Sequence, residues 1–207
     1  DNIADIIMTG ETTNLFLGNS VSCTGDVNDD GYSDVVVGAS GYNSYTGKVF
    51  VFFGGAVMDN IADVIMTGET TSTNFGNSVS SAGDIDGDGY SDVVVGADSS
   101  FSFTGRSFVF YGGASMNNVA DVTMKGEFIN DGFGCSVSSA GDVNGDGYSD
   151  IIVGALGFNS YTGRVYLYLP EFGPICDPGT PHIEILDHPD DPLIHLEGQY
   201  VYEEAYG

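Results

Sequence analysis

The sequence repeats itself three times with a constant period of 58 residues. Segments around the repeat keep the same phase: DNIADIIMTGE returns as DNIADVIMTGE and again as NNVADVTMKGE. A fixed period of this length predicts one structural unit after another, so three equivalent units are expected over residues 1–173 and a separate Pro-rich arm with short strands over residues 174–207. The most regular part of each unit is a nonapeptide, DVNDDGYSD, DIDGDGYSD and DVNGDGYSD, which starts at Asp26, Asp84 and Asp142.

Each unit has the pattern of β structure. GNSVSSAGD alternates small and apolar residues, SDVVVGA is a β-branched run that ends at Gly, GKVFVFFGG alternates aromatic and aliphatic residues, and ADVIMTGE is a fourth short apolar segment. Gly-rich turns separate these segments at a spacing of about ten residues, and no segment has a helical period. Four strands per unit is typical of a β-propeller blade; a β-sandwich or a solenoid built from the same strands is the alternative.

The nonapeptide has the oxygen-rich pattern of a cation-binding loop. In D-x-[DN]-x-D-G-x-x-D the odd positions place side chains on one side of a tight turn, and Gly at the sixth position supplies a backbone conformation that a Cβ resists. Hard oxygen ligands in a flexible loop favour Ca²⁺ over transition metals and over octahedral Mg²⁺. With the Tyr carbonyl as a backbone ligand, one calcium site per unit is predicted, formed by Asp26, Asn28, Asp30, Tyr32 and Asp34, by Asp84, Asp86, Asp88, Tyr90 and Asp92, and by Asp142, Asn144, Asp146, Tyr148 and Asp150.

Two alternatives to a structural calcium site are weaker. An EF-hand requires a bidentate Glu at loop position twelve and flanking helices, but that position holds Val37, Val95 or Val153 within a predicted strand. An Asp-Gly turn without metal would leave clustered carboxylates that repel one another. The loops are therefore expected to fix two strands of a blade together, without the conformational switch of an EF-hand sensor.

The units resemble FG-GAP repeats, the blades of integrin α-subunit propellers and of many bacterial and archaeal surface proteins. The resemblance rests on the Asp-rich loops, on Phe75-Gly76 and Phe133-Gly134, and on a Gly-Ala pair after each SDVVV-type run. It implies an all-β fold of three propeller-type blades of about four antiparallel strands each, plus the extended C-terminal arm, in an extracellular or cell-surface protein. The departures from the pattern are Leu17 in place of Phe, and Ser40, Asp98 and Leu156 where the family often has Pro.

Composition restricts the partners. The chain has 30 acidic and 4 basic residues and a formal net charge of −26, so nucleic acid and anionic membrane surfaces are poor partners, because both require clustered Lys and Arg. No apolar run approaches the roughly 18 residues that span a bilayer, which predicts no membrane insertion. Cations are the favoured partners of such a surface, although solubility or adaptation to salt also accounts for part of the acidity.

Three blades are too few for a closed propeller, which has about four to eight. Ala4–Gly10 matches the fourth strand of a unit but has no unit before it, and the third unit ends after Val165–Leu169 without that strand. Two chains that meet head to tail and donate one strand would correct both defects, giving a ring or a filament of copies of this chain. The alternatives are that the sequence is a fragment, or that the C-terminal arm folds back and supplies the missing strand.

No catalytic motif is present, and the repeats contain no His, so a non-enzymatic structural protein is predicted. Recognition of a glycan or protein ligand is the alternative. It would use aromatic loops, although aromatic residues beside turns are more often packed than presented to a ligand. The residues concerned are Tyr42, Tyr45, Phe101, Phe103, Phe158 and Tyr161.

The cysteines and histidines match no known framework. Cys23 and Cys135 are predicted to be small buried residues in strands, while Cys176 lies among prolines and is the cysteine most suited to reaction or pairing. The three histidines lie in the C-terminal arm with a spacing that matches no zinc motif, at His182, His188 and His195.

Overall fold

The computed structural model describes residues 3–170, with the side chains at positions 101 and 102 outside that description. Three antiparallel sheets form in chain order, so the all-β prediction is confirmed. Two sheets have four strands and the third has three. The strands are β1 (Val21–Gly25), β2 (Asp34–Ala39), β3 (Lys48–Phe52) and β4 (Val64–Thr67) in blade one; β5 (Ser78–Gly83), β6 (Asp92–Ala97), β7 (Arg106–Phe110) and β8 (Val122–Lys125) in blade two; and β9 (Phe133–Gly141), β10 (Asp150–Ala155) and β11 (Arg164–Tyr168) in blade three.

Each sheet is a simple meander, with β2 paired to β1 and β3, and β4 on the outer side of β3. The central strand is apolar on both faces because a blade is covered on both sides. In β6 (DVVVGA) every residue is buried, which explains why this segment shows a continuous β-branched run instead of alternation. The continuous apolar run therefore indicates both that this segment is a strand and that both faces of the strand are covered.

The structural blade is out of phase with the sequence repeat. The outer strands β4 and β8 lie in the ADVIMTGE-type segment, which opens the following sequence unit. As predicted, blade three has no outer strand among the described residues; its sheet is β11-β10-β9.

The hydrophobic core lies between blades. One cluster joins Val49, Val51 and Met66 of blade one to Phe75 and Val93 of blade two, and a second cluster joins blades two and three in the same way. The Phe of each FG pair lies at the centre of these joints. Its ring makes edge contacts with two aromatic rings of its own blade, at centroid distances of 5.5 and 6.2 Å for Phe75 and of 5.2 and 6.2 Å for Phe133.

Glycine is required where neighbouring backbones meet at the joint. A Cβ at Gly38 would lie 2.1 Å from the carbonyl oxygen of Gly76, and a Cβ at Gly96 would lie 2.0 Å from that of Gly134. No side chain fits in that space, so the Gly-Ala pair sets how closely one blade approaches the next.

Short turns join the second and third strands of each blade: α1 (Tyr42–Tyr45), α2 (Ser100–Phe103) and α3 (Phe158–Tyr161). Two of them, α1 and α3, are not ordinary helices, since Asn43 and Ser44 have φ of 44° and 57°, and Asn159 and Ser160 repeat this with 46° and 59°. Asn tolerates this left-handed region better than most residues, and four residues are too few for a stable helix.

Ala4–Gly10 has no assigned strand within one chain, because a strand needs a paired neighbour and no strand of the described chain lies beside it. Its pairing with a second copy stays a prediction. The prediction that Cys23 and Cys135 are both buried is wrong. Cys23 and Cys135 lie in strands and are free thiols, but Cys23 is exposed and Cys135 is half-buried. Cys23 shares a face of β1 with Val21, which is 63% exposed, and no blade covers that face. The predicted arm at 174–207, with Cys176 and the three histidines, lies outside the described residues.

Truncation of the central Phe should test the role of the joints. Phe133 has no exposed surface, so Phe133→Ala should lower the free energy of unfolding by about 3–5 kcal/mol. Leu17, which occupies the same position in blade one and is only partly buried, provides the matched control. Denaturant unfolding followed by circular dichroism measures both; equal losses for Phe133→Ala and Leu17→Ala would contradict a core placed at the joints.

Candidate metal centres

The three nonapeptides form three equivalent loops between the first and second strands of each blade. The first Asp organises the loop by accepting backbone N–H groups. Asp84 accepts from Gly87 at 2.7 Å and from Gly89 at 3.0 Å. Asp26 and Asp142 accept the equivalent bonds from Gly31 and Gly147 at 2.8 and 3.0 Å.

The glycine predicted to form the turn does so in each loop. Gly31, Gly89 and Gly147 have φ of 87°, 94° and 96°, in the region that a Cβ disfavours. The turn lies where the sequence predicts it, and the convergence of all odd-numbered side chains on one ion stays a prediction.

Loop two contains the closest carboxylate cluster. Asp84, Asp86 and Asp88 have oxygen atoms that all lie within 4.8 Å of one another. In loops one and three an Asn replaces the middle Asp, and its amide contacts the next Asp: Asn28 Nδ2 lies 3.1 Å from Asp30 and Asn144 Nδ2 lies 2.8 Å from Asp146. Loops one and three therefore have one negative charge fewer at the middle position, with an amide nitrogen turned toward the next Asp.

The last Asp of each loop has a second role. Asp34, Asp92 and Asp150 have no exposed surface and start the central strand of each blade. Asp34 accepts N–H groups from Val27 at 2.8 Å and from Gly54 at 2.7 Å, so it links the loop to the end of β3. These bonds leave further lone pairs on both oxygens, as a cation ligand needs.

Blade three departs from this pattern in a way that its sequence explains. Asp150 accepts from Val143 at 2.7 Å, but its Oδ1 is buried without a hydrogen-bond partner among the described residues. Gly54 and Gly112 donate to the equivalent oxygen in blades one and two, whereas the residue at this position in blade three is Pro170, which has no N–H. An unpartnered buried carboxylate oxygen fits a cation site, because a metal ion would satisfy it.

The electrostatics of loop two are those of a site that lacks positive charge. Burial raises the pKa of Asp86 to about 6, and the neighbouring Asp88 and Asp84 add to that shift. Burial also raises the pKa of Asp92 to about 8, although N–H groups of Ile85 and Gly112 act in the opposite direction. A divalent cation would reverse both shifts by favouring the charged carboxylates.

The loops also contact the next blade. Ser91 N–H donates to the Asp26 carbonyl and Ser149 N–H donates to the Asp84 carbonyl, both at 2.9 Å. The apolar second residue of the loop is buried there: Val27 and Ile85 have no exposed surface. Each of these two loops thus points its carboxylates toward its own interior, while its backbone bonds to the neighbouring blade. The spacing of the Asp residues in the sequence does not predict this contact between blades.

The aromatic loop residues divide into two groups. The Lys48 ammonium lies 4.0 Å from the Tyr42 ring centroid, and the Arg164 guanidinium lies 3.6 Å from the Phe158 ring centroid. These two rings therefore make cation–π contacts within the protein. The other three are 50%, 58% and 79% exposed: Tyr45, Phe103 and Tyr161. The expectation that these aromatics pack within the blade therefore fails for the exposed group, while the side chain of residue 101 lies outside the description.

Repeated antiparallel blades of three or four strands, with one Asp-rich loop each, define a class of propeller-blade repeat proteins. A family model for the FG-GAP repeat matches residues 18–52, 75–110 and 133–168, one match per blade, and the chain belongs to the FG-GAP repeat family. The resemblance inferred from the sequence is confirmed.

The curated relatives include integrin alpha chains. The chain is 32% identical over 177 residues to integrin alpha-5 of Xenopus laevis, with 77% of this chain and 17% of that protein covered. Integrin alpha-PS5 of Drosophila melanogaster is 32% identical over 173 residues, covering 78% of this chain and 17% of the relative. Human integrin alpha-6 is 33% identical over 160 residues, covering 72% and 13%. The chain thus spans less than a fifth of each of these relatives.

Integrin alpha FG-GAP repeats typically bind divalent cations, and the Asp cluster of loop two is present here. Among the described residues, no helix is long and apolar enough to cross a membrane.

The raised pKa of Asp92 predicts how stability depends on pH when no divalent cation is bound. Between the ordinary Asp value of 3.8 and about 8, the folded chain holds a proton that the unfolded chain has lost. Stability should therefore fall as pH rises through this window. Thermal unfolding in chelator at pH of about 5 and about 8 measures the change, and Asp92→Asn should reduce it. The exposed Asp59→Asn serves as the control, and equal pH slopes for both variants would contradict the assignment.

Proposed function

We propose that this chain is a non-enzymatic, extracellular calcium-binding structural module that assembles head to tail with copies of itself, as a ring or a filament. One observation carries the assembly: the residue buried at both internal joints is uncovered on blade three. Val27 and Ile85 have no exposed surface, whereas the equivalent Val143 is 52% exposed. Burial of such a surface is favourable, and an equivalent blade is the partner that this face already fits.

Calcium is the proposed ion because every predicted ligand is an oxygen atom in a flexible loop. The proposed ligands are those predicted from the sequence, with the carbonyls of Tyr32, Tyr90 and Tyr148 as backbone ligands. Bound Ca²⁺ would supply positive charge between the carboxylates. The chain's own residues hold the loop in shape through the N–H bonds to the first Asp.

An extracellular or cell-surface location is supported by two considerations. Extracellular modules meet calcium at concentrations that satisfy weak sites, with dissociation constants of about 10⁻⁴–10⁻³ M. The chain is also similar to integrin alpha chains, which are cell-surface proteins. The partners proposed are further copies of this chain, with no nucleic acid and no membrane insertion.

A second candidate function is adhesion or recognition of a glycan or protein ligand. The observation that favours it is the exposure of Tyr45, Phe103 and Tyr161 at the same position of successive blades. Exposed rings in a row could stack on sugars or pack on a protein surface. Glycan-array binding that is lost in Tyr161→Ala would support this function over a purely structural one.

Calcium binding is tested by stoichiometry. Isothermal titration of the full chain with Ca²⁺ should give about three ions per chain, and Asp84→Ala should remove about one, because Asp84 both orders loop two and contributes an oxygen. Asp59→Asn, outside the loops, should leave the number unchanged. No heat of binding in the wild-type chain would contradict the proposed sites.

Assembly is tested by light scattering of the full chain. With Ca²⁺, species heavier than the 21.7 kDa chain should form, and chelator should reduce them, because strongly acidic chains repel one another when the loops hold no cation. Deletion of residues 1–11 should also reduce them. A uniform monomer at high protein concentration with Ca²⁺ would overturn the assembly.

A further inference from the structure

The open face of blade three and the open face of blade one match each other residue by residue. Resting on the proposed head-to-tail assembly, we propose that residues 6–9 and blade one of a second copy cover blade three in the same register that joins the blades inside the chain.

Blade three presents an apolar surface that is buried in the other two blades. Leu167 of β11 is 48% exposed, whereas the equivalent Val51 and Val109 have no exposed surface. Val165 is 64% exposed on the same side of the strand, and its equivalent Val49 is fully buried.

Blade one presents the complementary surface. Val21 of β1 is 63% exposed, whereas its equivalents Val79 and Val137, each facing the preceding blade, are 5% and 6% exposed. Leu17, at the position of the buried Phe75, is only partly covered. The two open faces are thus the two halves of an internal joint.

The polar groups are matched too. At both internal joints a Ser N–H, from Ser91 or Ser149, donates to the first carbonyl of the preceding loop. In a joint between copies, the equivalent hydrogen bond would run from the Ser33 N–H of the second copy to the Asp142 carbonyl. Space for this approach exists, because a Cβ at Gly141 would meet nothing within 4 Å, whereas at Gly83 it would lie 2.2 Å from Ser149 Oγ.

Blade three has no outer strand within the part of the chain that the structure describes, and a second copy has a segment that matches one. In blade two, β7 pairs Val109 with Val122 and Phe108 with Thr123. The equivalent pairs in a joint between copies are Leu167 with Ile6 and Tyr166 with Ile7.

Residues 6–9 are already held in the required place. Asn60 Nδ2 donates to the Ile7 carbonyl at 3.2 Å, and Asn118 Nδ2 donates to the Ile65 carbonyl at 3.4 Å. The second bond ties blade two to the outer strand of blade one. The equivalent Asn60–Ile7 bond therefore ties blade one to a segment in the position of an outer strand, with no further blade of the described chain beside it. The open edge of β11 in a second copy is the edge that this segment fits.

A joint between copies lacks one internal anchor. Asn19 Nδ2 donates to the carbonyls of Gly76 and Asn77 in the next blade, both at 3.1 Å, but the equivalent residue of blade three is Cys135. Cys135→Asn should restore this anchor and strengthen the association of copies by about tenfold, as expected for one or two added hydrogen bonds.

A complementation experiment tests the pairing of the two faces. Leu167→Asp damages the face of blade three and Val21→Asp damages the face of blade one. Each variant alone should dimerise at least about 100-fold more weakly, because the joint would bury an unpaired carboxylate. An equimolar mixture should recover a dimer of about 43 kDa, twice the 21.7 kDa chain, since one undamaged joint can form.

Ile65→Asp is the matched control. Ile65 is a comparably exposed apolar residue, at 41%. Its equivalent in blade two, Thr123, is exposed even though blade one precedes blade two, so Ile65 should also stay exposed when a second copy precedes blade one. This variant should therefore dimerise like the wild type. Circular dichroism confirms that each variant is folded. Failure of the mixture to recover dimers would overturn the head-to-tail pairing.

Disulfide trapping tests the register. In chains whose native cysteines are replaced by Ser, Leu167→Cys on one chain should cross-link to Ile6→Cys on another under mild oxidation. Ile7→Cys is the control, because adjacent strand residues point to opposite faces.

The outcomes separate the two levels of the proposal. A monomeric wild type would overturn the proposed assembly itself. Assembly with no preference for Ile6→Cys over Ile7→Cys would overturn only the register.

Discussion

The structure depends on the contact between one blade and the next. A single four-stranded blade has apolar side chains on both faces and cannot bury either by itself. Phe75 and Phe133, and the apolar residues around them, are buried between blades. Repetition with a constant period is the way in which such a chain completes its core, because each added unit covers the face that the last one leaves open.

The Asp-rich loops are part of this contact. Their carboxylates face the interior of the loop, while the carbonyls of Asp26 and Asp84 accept hydrogen bonds from the following blade. The geometry of the loop therefore sets the position of the neighbouring blade. A cation bound in the loop would stiffen the joint as well as the loop.

Much of this arrangement could be predicted from the sequence. The strands, the three units, the loop glycines and the missing outer strand of blade three follow from period, alternation and Asp spacing, since these are local properties. Prediction from local sequence pattern was incomplete where strand pairing or burial depends on a neighbouring strand or blade. Ala4–Gly10 has the sequence of β4 but no strand to pair with among residues 3–170. Cys23 has the pattern of a buried strand residue but lies on a face that no blade covers.

The orphaned oxygen of Asp150 illustrates the same limit. Pro170 is plain in the sequence, but its effect appears only when the end of β11 is seen beside the start of β10. A missing N–H at one position changes the hydrogen bonding of a residue twenty positions away. Period alone predicts equivalent loops, and only the folded chain distinguishes the third from the other two.

The offset between sequence repeat and blade has a mechanical consequence. The outer strand β4 completes blade one, yet it continues through residues 68–77 into the first strand of blade two. Blades one and two cannot be pulled apart beyond the reach of that connection unless β4 peels away from β3. Tension along the chain would therefore act on the backbone hydrogen bonds between β3 and β4, which would break one after another.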